Sequence, residues 1–324
     1  MNYKDTLSFV AKCLSVAVDV KHRIEIQDII KAKKVDWDEV VTLSTSHFVF
    51  PALYCNLKRQ KLLEYLPKDL GAYMKEITDL NRKRNIKIIK QAQELNQLLE
   101  KNDIIPVFLK GTGNLLEELY EDIAERMVGD IDFIVPKVDF YNVATILLND
   151  GYKSIANESY LSPYSKHFHR LVKENNIAAV EVHKELLEDA YASEFNFLGV
   201  HNDVQNINDV TVLSYENQLS LSTFANQIND EGYQYKSISL RNAYDVFLLS
   251  KKTNTQQISS KFKILKDPLN CFLALCHHVF SEIPSLEYDR NKKTEKHIKK
   301  FTDLSLNNRK RKFRAKLTYK ELFM

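Results

Sequence analysis

Gly129-Asp130-Ile131-Asp132-Phe133-Ile134-Val135-Pro136 is the stretch on which the reading of this chain turns. Acids alternate with hydrophobes, an apolar run follows, and a proline stops it, as in a short β-strand. Successive strand residues face opposite sides, so Asp130 and Asp132 share one face while Ile131 and Phe133 enter the core. Two carboxylates so close repel each other unless positive charge intervenes, and a divalent cation is a common solution.

Upstream, Ile104-Ile105-Pro106-Val107-Phe108-Leu109 reads as a short buried strand with Pro106 at its start. Lys110 follows, then Gly111-Thr112-Gly113 as a turn, then a helix from Asn114 to Asp122. The glycines let backbone approach a phosphate closely, Thr112 adds a hydroxyl donor, and Lys110 adds a point charge. Further back, a long helix spans Tyr73 to Lys101, with Ile77, Leu80, Arg84, Ile88, Ala92, Leu95 and Leu99 as its stripe.

Downstream, Asp139 reads as the N-cap of a helix from Phe140 to Asn149, closed by Gly151. A third extended segment follows from Gly151 to Ile155. Phe168–Val172 and Ala178–His183 read as a hairpin around Lys173-Glu174-Asn175-Asn176. Within it Glu181 lies between Val180 and Val182, which face the other way. If that strand neighbours the Asp-x-Asp strand, three carboxylates converge as hard oxygen ligands suited to Mg²⁺, or to Mn²⁺ in its place. Beyond Glu185 helices dominate, with one β-like stretch at Val210–Leu213. The expected organisation is α+β: an N-terminal helical region over 1–69, a small mixed-sheet core over 70–185, and a C-terminal helical domain over 186–324 ending in a basic tail.

Bulk properties exclude several classes. With 44% hydrophobic and 27% charged residues the chain has the composition of a globular protein rather than a disordered one. No apolar run approaches the roughly 20 residues of a membrane helix, and the N-terminus reads as a helix rather than a signal peptide, so no membrane association and a cytoplasmic location are expected. Cys13, Cys55, Cys271 and Cys276 read as reduced, buried thiols. Cys271 and Cys276 lie five apart on one expected helix and diverge by about 140° around it, which argues against zinc. His167 and His169 share a strand face with His183 across the hairpin, an arrangement that reads as partly exposed strand histidines rather than a transition-metal site. Neither a Gly-x-Ser-x-Gly elbow nor a Gly-x-x-x-x-Gly-Lys loop is present. Arg290 to Lys316 carries 12 Lys and Arg against Glu295 and Asp303, in a chain of net charge +3. This segment is a candidate RNA-binding tail.

Leu109-Lys110-Gly111, Tyr120, Arg126, Asp130-Ile131-Asp132, Gly151-Tyr152, Glu181-Val182-His183 and Leu240-Arg241-Asn242-Ala243-Tyr244-Asp245 occur in this order. Together they resemble the bacterial family of uncharacterised nucleotidyltransferases within the DNA polymerase β-like superfamily, over roughly residues 40–250. Thr112 stands where the wider superfamily commonly has Ser, and Glu181 where Asp is commoner. The resemblance implies a polymerase β-like core that binds a nucleoside triphosphate (NTP). Asp130, Asp132 and Glu181 would serve as metal ligands and catalytic carboxylates, and Lys110, Gly111, Thr112, Gly113 and Arg126 would line the nucleotide and phosphate site. Attack of a hydroxyl on the α-phosphate would release pyrophosphate. Lys110 and Arg126 are candidates for stabilising developing charge, Arg126 equally for an ion pair with Glu121 or Asp122, and His183 for an orienting hydrogen bond. RNA, a small alcohol and a protein hydroxyl all fit as acceptor. A non-catalytic nucleotide- or RNA-binding protein on the same scaffold is the alternative.

Overall fold

The computed structural model describes residues 1–18, 20–155 and 165–307. Its N-terminal region is helical: α1 (Tyr3–Leu14), α2 (Val20–Lys31), α3 (Trp37–Ser46), α4 (Phe50–Arg59) and the long α5 (Lys68–Glu100). The middle alternates strands with short helices: β1 (Val107–Phe108), α6 (Lys110–Leu116), β2 (Asp130–Ile134), α7 (Phe140–Asn149), β3 (Lys153–Ser154), β4 (Leu171–Val172) and β5 (Ala179–His183). Then come α8 (Asp189–Ala192), α9 (Phe197–Val200), β6 (Val204–Ile207), β7 (Val210–Leu213), α10 (Tyr215–Phe224), α11 (Gly232–Tyr235), α12 (Leu240–Ser250), α13 (Thr255–Ser260), α14 (Lys266–Phe280) and α15 (Lys292–Leu306). The fold is α+β.

One mixed sheet has the order β3-β4-β5-β2-β1-β7-β6. Its centre is the parallel pair β2–β5, with β1 antiparallel on the other side of β2. The inward residues Ile131, Phe133, Val180 and Val182 are fully buried, and Phe108 packs edge-on against Phe133 at 5.9 Å. Each such aromatic stabilises the fold by about 2–3 kcal/mol through removal from water. The hairpin between β4 and β5 forms as the sequence implies. The strand β6 was not legible, although Asn208-Asp209, both with positive φ, forms the two-residue turn that joins it to β7. Because β7 pairs parallel with β1, the sheet itself continues past residue 185, where the sequence reading ended the mixed core.

Two helices differ from expectation for physical reasons. Gly111-Thr112-Gly113 is helix interior, since α6 starts at Lys110 and ends at Leu116; the expected helix through Asp122 is replaced by a turn at Glu118 (φ 57°) and a 3₁₀ turn at Ile123–Glu125. The chain reverses instead at Lys110, a non-glycine residue with φ 52°. In α5 the apolar stripe holds only from Ile88 onward. Leu80 is 55% exposed, and after Met74 the inward face of the first half is Thr78, Asn81 and Asn85. That half faces loop 123–129, whose backbone carbonyls need donors rather than methyl groups. Asn81 donates to the carbonyls of Ala124 (2.8 Å) and Arg126 (3.0 Å), and Asn85 to those of Ile123 and Arg126. Arg84, the polar break in the stripe, donates to the carbonyls of Val128 (3.3 Å), Gly129 (3.1 Å) and Ile177 (3.2 Å). At α7, Asp139 makes no side-chain cap, while Gly151 closes the helix at φ 91° as expected.

Glu117, just after α6, is buried and accepts hydrogen bonds from Gln218 on α10 (2.6 Å) and Gln205 on β6 (3.3 Å). Burial pushes its carboxyl up to about 8, with the two amide donors opposing. The folded chain therefore holds a proton that the unfolded chain has lost, so stability falls as pH rises from about 5 to 8, by up to about 1.4 kcal/mol per unit. Denaturant unfolding across that range is expected to show this slope in the native protein and its loss in Glu117→Gln. Parallel curves for the two proteins would refute the assignment.

Candidate active site

The register of the central strands sets Asp132 opposite Glu181 and Ile134 opposite His183. Paired residues on neighbouring strands share a face, so Asp130, Asp132, Glu181 and His183 all point to the side away from Phe133 and Val182. One atom each from Asp132, Glu181 and His183 lies within 4.8 Å of the other two, a group able to hold a metal ion. Asp130 stands outside that trio but is tied to it by Arg170, whose Nη2 lies 2.8 Å from Asp130 Oδ2 and 3.1 Å from Glu181 Oε1. The three carboxylates, Lys110, Gly111, Arg126, Arg170 and Arg241 line one polar cavity of about 270 Å³.

Each acid has its own electrostatic balance. Burial raises Asp132, but the ammonium of Lys110 at 2.6 Å and the hydrogen bond from His183 Nε2 at 2.9 Å outweigh it and hold the carboxyl well below the usual range. Burial likewise acts against Glu181, where the close approach of His183 Nε2 at 3.6 Å prevails and lowers it. Asp130 shifts the other way: burial raises it, the neighbouring carboxylates add to this, and Arg170 only partly compensates. Lys110 is kept protonated because its three carboxylate neighbours overcome its burial.

Lys110 reaches Asp132 from a left-handed backbone conformation that costs a non-glycine residue about 1–2 kcal/mol. His183 sits beside both acids, Asp132 and Glu181. Its Nε2 faces two carboxylates, while its buried Nδ1 has no partner, which assigns the proton to Nε2. The ring of His167 lies 5.2 Å from it across a β-bridge, and neither His167 nor His169 joins the metal-holding group.

The remaining sequence candidates lie beside the cavity in different roles. Thr112 is buried and donates its hydroxyl to the backbone carbonyl of Asp130 (3.1 Å), fixing the strand rather than facing the cavity. Gly113 is a packing glycine, since a Cβ there would sit 2.8 Å from the carbonyl oxygen of Phe108. A Cβ on Gly111 would press on Val128 and the Arg126 guanidinium at 3.0–3.3 Å. Arg126 pairs with neither Glu121 nor Asp122, which contact Arg59 and Arg82. It is buried against Asp245 of α12 (3.1 Å) and donates to the carbonyl of Met127 (2.8 Å). Tyr120 donates to the same Asp245 at 2.7 Å.

Sequence reasoning missed Arg170 and Lys166. Arg170 lies in the expected hairpin strand, and its cue was the alternation that puts it across from the acids. Cys271 and Cys276 are buried and free on α14, as expected.

A family model described as "Uncharacterised nucleotidyltransferase" matches residues 33–281, from the start of α3 to the end of α14. The chain belongs to this family. No curated protein matches it in sequence. Membership supports a general role in nucleotidyl transfer, and the match spans both the carboxylate strands and the α12 segment that anchors Arg126. The basic helix α15 lies outside it. Among the described residues no helix is long and apolar enough to cross a membrane.

Gly113→Ala tests the packing role. Within a helix, Gly→Ala ordinarily stabilises by about 1 kcal/mol. Here the backbone contact with Phe108 reverses the sign, and a loss of about 1–3 kcal/mol in unfolding free energy is expected. A variant at least as stable as the native protein would show that the approach of α6 to β1 is not tight.

Proposed function

We propose that this nucleotidyltransferase moves a nucleoside monophosphate from an NTP to a hydroxyl acceptor, using Mg²⁺, or Mn²⁺ in its place, at Asp130, Asp132 and Glu181. The observation that carries the reading is the parallel register that sets Asp132 beside Glu181 on the face where Asp130 and Lys110 also lie. The donor set fits a hard divalent cation: carboxylate oxygens predominate, Asp132 is held ionised, and the cavity is polar. When bound, such an ion neutralises phosphate charge and makes the attacking hydroxyl more acidic.

The chain's own groups supply the rest. A new bond forms between the acceptor oxygen and the α-phosphorus, the hydroxyl proton is released to solvent, the bond from that phosphorus to the β-phosphate bridge breaks, and pyrophosphate leaves with the electron pair. Lys110 and Arg126 line the same cavity as the acids and give this charge a fixed positive counterpart. His183 holds Asp132 in orientation. The test is incubation with each labelled NTP, Mg²⁺ and total cellular RNA or lysate. Asp132→Asn should cut label transfer by on the order of 100-fold or more, and His183→Gln by about 10–100-fold. Binding of NTP without any transfer in the native protein would overturn the enzymatic reading in favour of a nucleotide-binding protein.

RNA is the acceptor we favour. On α15 the buried stripe Thr294, His297, Phe301 and Ser305 leaves Lys292, Lys296, Lys299 and Lys300 exposed on the opposite side. Lys293 is engaged with Asp267. The part of the basic segment beyond Asn307, including Arg309, Lys310, Arg311 and Lys312, lies outside the described residues. Replacing the four exposed lysines by Gln should weaken RNA binding and make the slope of log affinity against log salt shallower by up to about three. An unchanged slope in a filter-binding titration would remove this face from the acceptor site.

A further inference from the structure

Beside the carboxylate cavity lies a second one of about 160 Å³. Lys110, Arg126 and Arg241 line both, so the two form one cleft. The far wall is Lys166, Asp230 and the π-helical turn Ala225–Asn229, a rare backbone form that recurs at functional sites.

The cations of this second cavity are unequally satisfied. Lys110 is paired with Asp132 and Arg126 with Asp245. Among the described residues, neither Lys166 nor Arg241 has a carboxylate within ion-pair distance, although Asp230 shares the cavity. Arg241 lies over the ring of Phe48 at 5.1 Å, and its Nε is buried with no acceptor. Both groups are shifted toward losing their charge: Lys166 by burial and then by Lys110, Arg241 by burial and then by Arg126. Two partly buried cations with no carboxylate in ion-pair contact, one with an unused donor, leave room for an anion rich in acceptor oxygens beside Asp230. The cavity is small and polar, lined by four cationic side chains, which suits phosphoryl groups.

We infer that this cavity is a phosphate subsite, in which Lys166 and Arg241 bind the terminal phosphates of the NTP while its α-phosphate lies at the carboxylates. The inference rests on the proposed reaction and adds to it the groups that receive the pyrophosphate leaving group. It also separates this role from the Gly111-Thr112-Gly113 segment, whose glycines pack and whose hydroxyl is engaged.

Calorimetric titration of the full chain with pyrophosphate, ATP and AMP in metal-free buffer tests it. Lys166→Met and Arg241→Gln should each weaken pyrophosphate and ATP by about tenfold or more, the effect of losing a charge-assisted hydrogen bond, and leave AMP unchanged. Lys166→Met keeps the aliphatic stem and does not disturb the packing against Phe48, so it stands as the folding-safe variant, with melting temperature as the check. Pyrophosphate affinity equal to that of the native protein in Lys166→Met would overturn the subsite. A loss of AMP affinity equal to that of ATP would overturn it too, placing the α-phosphate or an acceptor phosphate there instead. Because these titrations need neither metal nor turnover, the two ideas fail separately. Absence of transfer by the native protein removes the reaction, whereas insensitive pyrophosphate binding removes only the subsite.

Discussion

Three carboxylates facing one another across two adjacent strands form the constraint around which this molecule is arranged. At the 4.8 Å within which Asp132 and Glu181 place their oxygens, two full charges repel by about 3–4 kcal/mol at an effective dielectric near 20. The β2–β5 register that creates this repulsion also gives the centre of the sheet its buried face, so it cannot slip by one residue without turning Phe133 and Val182 outward. The fold answers with donors from three separate places: the cations Lys110 at the start of α6 and Arg170 just before β4, and the Nε2–H of His183 on β5 itself. The left-handed backbone of Lys110 belongs to the same answer. Its cost is small beside the repulsion it relieves.

The loop that delivers Asp130 has almost no regular structure, and its order comes from polar groups on both sides. Asn81, Arg84 and Asn85 of α5 hold its carbonyls from one side. From the other, consecutive residues of α12 hold it by two buried networks. Tyr244 donates to Glu125, which also contacts Arg59 of α4, and Asp245 accepts from Tyr120 and Arg126. Removing one partner of such a buried pair typically costs about 3–5 kcal/mol, because the other charge is left stranded. The sites of N-terminal helix, loop and C-terminal helix are thereby joined through polar contacts at the level of the cavity.

This division explains what could be read from sequence. The strand with Asp130 and Asp132 on one face and the hairpin carrying Glu181 follow from a period of two, which is local information, whereas the pairing of the two strands is long-range and entered the sequence reading only as a condition. The inward-facing asparagines of α5 were illegible because hydrophobic periodicity assumes that a buried helix face meets apolar groups, and this one meets backbone carbonyls. Arg126 was sought a partner among its sequence neighbours, whereas its partner is 119 residues away. Thr112 and Gly113 were read for what their chemistry permits near a phosphate. Close packing of α6 on β1 and β2 uses the same smallness and the same hydroxyl for other ends.

The cations around the acids also differ in how firmly they are held, and that difference sets how the site can exchange partners. Lys110 and His183 meet Asp132 where all three side chains are largely shielded from water, so the Lys110 ion pair keeps most of its Coulombic strength and the His183 hydrogen bond is protected from competition by water. Arg170 reaches Asp130 and Glu181 with its side chain 49% exposed, and pairs in that setting are worth about 0–1 kcal/mol. In the proposed reaction a divalent cation arriving with a triphosphate would compete with Arg170 at little cost, and would meet stronger resistance at the Lys110 and His183 contacts. Asp132 is thus the fixed corner of the site, and Asp130 with Glu181 the exchangeable edge, an asymmetry that follows from solvent access alone.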